Sequence, residues 1–173
     1  MVRAALQTHG RLNRGPRRGV TIIPAASVVA MSALAILPVM TRLGAWPDFG
    51  FLMLIAWRLL RADAWPAWWA APLGFVNDLL TGAPIGLSVS LWTAVMLAME
   101  LVDRRTQWRD YWIEWGLAAV LILAAETLEW KVAGWMGAPV AFMQMLPSIV
   151  ISILAFPLFA FMASRIDRWR LGQ

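Results

Sequence analysis

Cysteine is absent from this chain of 173 residues, which excludes disulfides, thiolate metal sites and thiol catalysis. Histidine occurs once, as His9 in a polar N-terminal stretch, so no Ser/His/Asp constellation can form. There is no Walker loop, no dinucleotide-binding glycine fingerprint and no HExxH pair. The chain reads as a non-enzyme without a cofactor. Charge is scarce as well, at 14% of residues, where a soluble domain carries roughly 25%. The net charge of +5 comes almost wholly from arginine. A nucleic-acid partner would need that charge gathered on one accessible face. Here the arginines are scattered between apolar runs, so no nucleic acid is expected.

What the chain does have is apolar surface. Hydrophobic residues make up 61% of it, beyond the roughly 45–50% usual in a soluble domain. A water-soluble chain this small would expose apolar patches larger than monomers tolerate. Lipid is the solvent this composition asks for, and the fold class expected is all-α: a polytopic membrane bundle of about six helices.

The apolar runs set the boundaries. Residues 1–19 form a basic tail with Arg3, Arg11, Arg14, Arg17 and Arg18. A transmembrane domain follows over 20–164, and 165–173 close the chain with Arg165, Arg168 and Arg170. The first span covers Val20 to Met40, free of charge and long enough for a core of about 30 Å. Ala33-Leu34-Ala35 resembles a signal-peptide cleavage site, but the apolar run continues past it, which favours an uncut anchor. The second span starts at Trp46-Pro47, with Pro47 suited to the first helical turn, and runs through Phe49 to Leu60. It is short, so it must tilt, thin the bilayer or let Arg58 snorkel outward. The third runs from Trp65 to Thr81, the fourth from Pro84 to Val102 and the fifth from Tyr111 to Ala133. The sixth runs from Pro139 to Ala163, with Pro147 and Pro157 as internal kinks whose freed carbonyls neighbouring helices can satisfy.

Counting cations tests the number of spans. With six, thirteen of the fifteen cations fall on one side, leaving Arg42 and Lys131 on the other. The positive-inside rule then puts both termini in the cytoplasm. The tryptophans fit this map: Trp57, Trp65, Trp68, Trp69, Trp108, Trp112, Trp115 and Trp169 fall near the inner interface. Trp46, Trp130 and Trp135 fall near the outer one. Trp92 lies within a span and reads as packing.

Few residues inside the spans carry chemistry. Ala67, Ala71, Gly74, Asp78 and Thr81 share one face of segment three, and small residues there let helix backbones approach. A carboxylate in a membrane must be protonated or paired. Asp78 sits near the C-terminal end of its helix, where the dipole disfavours a negative charge. Two groups are able to compensate: the free N–H groups opening the next helix, around Pro84 to Leu87, or Arg42. The structural reading has Asp78 staple the Gly82–Gly86 turn; the functional reading has it contact a partner or ligand. Gly82-x-x-x-Gly86 matches GxxxG only formally, because it spans a turn. Glu126 and Glu129 lie on one face of segment five. Such a pair is able to bind a cation or relay protons, or to pair with Lys131 and Arg42. Gln144, Ser148 and Ser152 form a stripe at i, i+4 and i+8 that would glue helices or, on the sharper reading, wall a solute site. Met96, Met99, Met143 and Met145 read as packing.

The stretch Pro66-Ala67-Trp68, followed after three residues by Pro72-Leu73-Gly74-Phe75-Val76-Asn77-Asp78-Leu79-Leu80-Thr81-Gly82-Ala83-Pro84-Ile85-Gly86-Leu87, resembles the hallmark of the MreD family of rod shape-determining membrane proteins. Ser88 stands where many members carry histidine. The resemblance implies a component of the bacterial inner (plasma) membrane elongation machinery, acting in regulation of cell shape. It implies an MreC-like bitopic partner, and indirect links to MreB filaments and to peptidoglycan synthesis by a RodA-type synthase. The family is also similar in fold to the substrate-binding subunits of ECF uptake transporters. The alternative that follows is a small-solute-binding membrane subunit.

Overall fold

The computed structural model describes residues 19–36, 47–61, 65–105, 111–137 and 141–171. Six α-helices account for most of them, and there is no strand among the described residues. They are α1 (Gly19–Ser32), α2 (Phe49–Leu60), α3 (Ala70–Thr81), α4 (Leu87–Arg105), α5 (Tyr111–Trp135) and α6 (Leu146–Leu171). Two stretches, Tyr111–Trp135 and Phe142–Trp169, are long and apolar enough to cross a membrane. Less than a third of either is buried within the molecule.

The short helix α2 is the centre of the packing. Every residue from Gly50 to Leu59 is buried. It packs against α1 on one side and α6 on the other, while α3 pairs with α4 and α5 lies against α6. Twelve residues reach only about 18 Å. A helix so short is tolerable in an apolar surrounding when its end groups are satisfied by protein. At each end one such group is met: Asp48 caps the start by accepting the Phe51 N–H at 3.0 Å, and Arg61 N–H donates to Trp57 O at 2.9 Å.

This centrality corrects two expectations. Arg58 does not snorkel outward. It is buried, and its guanidinium lies 2.8 Å from the Asp103 carboxylate. Trp57 is not interfacial either; it is fully buried, and its Nε1–H donates to Ser27 Oγ at 2.8 Å, tying α2 to α1. Trp65 is also buried, whereas Trp68, Trp112, Trp135 and Trp169 are exposed. Trp92 is core, stacked on Phe51 with centroids 6.2 Å apart.

Successive helices alternate in direction. The C-terminal ends of α2, α4 and α6 therefore meet, with Arg61 paired to Asp167 at 2.8 Å beside the Arg58–Asp103 pair. The opposite end joins the starts of α2 and α4 to the end of α3.

Several boundaries differ from expectation. α1 stops at Ser32 and tightens into a 3₁₀ turn over Ala33–Ile36; residues 37–40 lie outside the described residues. Pro47 precedes α2 rather than sitting in its first turn, and Asp48 takes the capping place. The third helix is preceded by a 3₁₀ turn over Ala67–Trp69. α4 begins at Leu87, not Pro84, because Pro84 O accepts the Leu87 N–H in the turn. α6 begins at Leu146 after a 3₁₀ turn over Phe142–Gln144, so Pro147 lies in its first turn, where no N–H is needed. Only Pro157 is internal to it. The carbonyl that Pro157 frees is that of Ile153, and it receives the Trp115 Nε1–H from α5 at 3.2 Å.

Candidate functional site

The residues singled out around Asp78 come together at the α3–α4 corner. Gly74 lets the two backbones touch: a Cβ there would lie 2.6 Å from Ser88 O. The buried face of α3 is Ala70, Leu73, Gly74, Asn77 and Asp78, while Ala67 and Ala71 are half-buried and Thr81 is exposed. The inward face is thus rotated from the expected small-residue stripe toward Asn77. Gly82 ends α3 with φ 70°, and Gly86 turns the chain into α4 with φ 100°. Both lie in the left-handed region that glycine enters without a Cβ penalty.

Asp78 is 1% exposed. One carboxylate oxygen accepts the Gly86 N–H at 2.8 Å and the other the Ser88 N–H at 2.9 Å. The α3 dipole disfavours a charge at this position, but the opening turn of α4 presents the positive end of its own dipole to the same carboxylate. Pro84 itself is exposed in the turn. Arg42, the other compensating group considered, lies outside the described residues.

Two participants were missed. Asn77, next to Asp78, is 2% exposed, and its amide nitrogen donates to Asp48 at 3.0 Å and to Ser88 Oγ at 3.1 Å. Asp48 is the α2 cap. An acid directly before an apolar run is a helix-start signal, so Asp48 was findable. Nothing local marks the bond that Asn77 makes across 29 residues. Ser88, set apart only by the resemblance, uses its hydroxyl and its N–H in the same knot.

The acidic pair on α5 divides. Glu126 accepts from Ser148 Oγ at 3.1 Å and lies 3.5 Å from Ser152 Oγ, so the polar stripe of α6 serves to hold α5. Gln144 does not join it; it is exposed in the 3₁₀ turn ahead of α6. Lys131 places its ammonium over the Trp130 ring, 5.9 Å from the centroid, and makes no ion pair with Glu126 or Glu129 among the described residues. Met96 and Met99 are core, while Met143 is 75% exposed.

Among the described residues no three His, Cys, Asp or Glu side chains converge as metal ligands. What the geometry builds is a fastener: buried acceptors matched to buried donors where three helix ends meet. A shallow groove also lies between α2, α5 and α6, lined by Ala56, Leu60, Tyr111, Glu114, Trp115 and Phe156. Compared with protein-family models, with curated proteins and with solved structures, the chain matches none.

Proposed function

We propose that the protein is a non-catalytic, multi-pass scaffold of the bacterial inner membrane. It serves the cell-wall elongation machinery by holding an MreC-like bitopic protein through the bilayer. Its six helices form the membrane unit and both termini face the cytoplasm. The observation that carries this reading is the use made of Asp78. Both oxygens of that carboxylate are held by backbone N–H groups at the turn that resembles the MreD hallmark. The motif then acts as a brace that fixes the α3–α4 corner. The exposed apolar faces of α5 and α6 suit lipid and a partner helix.

The alternative, a solute-binding uptake subunit, asks for a pocket in which Asp78, Glu126 or Gln144 offers free polar atoms. Asp78 is buried and fully engaged, Glu126 faces the serines of α6, and Gln144 points away on an exposed turn. The scaffold is the better match. Affinity purification from native bacterial membranes after mild cross-linking tests it. A bitopic protein with a periplasmic domain is the expected companion. Recovery of an ATPase module would overturn the scaffold and favour the transporter subunit.

A further inference from the structure

Among the described residues, the side-chain carbonyl of Asn77 near the start of α2 has no hydrogen-bond partner. Asn77 turns both of its N–H donors toward Asp48 and Ser88. Its carbonyl oxygen is buried and accepts nothing. The amide orientation is fixed by its neighbours, because the reverse would set the carbonyl against the Asp48 carboxylate. A buried acceptor left in this state is costly and calls for a ligand.

The surroundings state which ligand. Asn77 Oδ1 faces Gly50, where a Cβ would come within 3.1 Å of it and would overlap Ser32 Oγ. The Ser32 hydroxyl and the Asn77 carbonyl therefore crowd the same point, and only glycine leaves room for both. Asp48, whose carboxylate accepts the Phe51 N–H and the same amide, brings a carboxylate to the start of α2. Ser32 is also the last residue of α1 before the helix tightens, and helix C-terminal ends present carbonyls suited to cations.

We propose that Ser32, Asp48 and Asn77 form a binding site for a small monovalent cation, of the sodium and lithium class, where α1, α2 and α3 meet. All three donors are oxygen, which selects a hard cation. Only one is a carboxylate, since Asp78 is held by the α4 turn, and a single negative charge balances a single positive one. A divalent or transition metal would need more acids than converge here among the described residues.

Thermal unfolding of the full chain in lipid nanodiscs tests the site, with sodium, lithium or choline chloride at one ionic strength. Sodium is expected to raise the melting midpoint in a saturable way, with no rise in choline. Ser32→Ala and Asn77→Leu should each raise the half-saturating sodium concentration by roughly tenfold or more, as loss of a cation ligand does. Ser32→Ala removes one small polar atom, so it decides the matter if Asn77→Leu fails to fold. Equal midpoints in all three salts would overturn the proposal. So would a sodium response unchanged in Ser32→Ala. An Arg42→Gln variant that melts lower, in a chain whose melting is the same in every salt, would assign the counter-charge to Arg42 instead.

Discussion

Asp78 is an acid placed where a charge is least welcome, and its two short contacts make the position tolerable. Removing the carboxylate by Asp78→Ala leaves two backbone N–H groups unpaired in a buried corner. Each hydrogen bond to a charged group is worth about 1.5–3 kcal/mol, so denaturation in detergent should show a loss of about 3 kcal/mol or more. Asp78→Asn keeps one acceptor and should fall between. An Asp78→Ala protein as stable as the parent would deny the brace. At this scale the sequence was partly legible. A lone carboxylate inside an apolar run announces itself, and its compensation by the next helix opening was among the readings considered. Asn77 stayed hidden because its partners are Asp48 and Ser88, brought near only by the fold.

Helices were easier to read than their ends. Among the described residues each apolar run contains a helix, because apolar length is set by composition. Ends are set by capping and by tertiary contacts, so Pro47 and Pro84 misled as markers of helix starts, and Pro147, read as an internal kink, lies in the first turn of α6. The central place of α2 was also invisible. An apolar helix buried in protein and one bathed in lipid have the same composition, and only the packing separates them. Two tests belong here. Gly74→Ala puts a methyl group 2.6 Å from Ser88 O, which is backbone and cannot swing aside. We expect a loss of about 1–3 kcal/mol from this overpacking, read as a lower melting midpoint. For the α5–α6 pair, Trp115→Phe removes the donor to Ile153 O and should cost about 1 kcal/mol. Adding Pro157→Ala restores an in-helix N–H to that carbonyl, so the double variant should cost less than the sum of the singles. Strict additivity would mean that the indole does not serve the proline gap.

At the scale of the whole molecule, two ion pairs among the described residues gather at one end of the helices. Arg58 and Arg61 hold Asp103 and Asp167 where α2, α4 and α6 finish. Breaking a buried pair strands a charge, so Arg58→Leu should lower stability by about 3–5 kcal/mol. Reversing the pair, with Arg58→Asp and Asp103→Arg together, should recover part of that loss; no recovery would show that the pairing is incidental. The proposed orientation rests on the spread of cations along the sequence. A reporter fused after Gln173 should be active only in the cytosol, and a signal outside it would invert the map.

The ion pair of Arg61 with Asp167 joins residues 106 positions apart, and it sits on a helix whose other flank is covered early, by α1. During vectorial synthesis α2 therefore emerges long before α6 exists to seal it. Until then a twelve-residue apolar rod with a cationic tip keeps one flank uncovered. Closure of such a distant contact is slow, so maturation of this molecule ends with the arrival of α6.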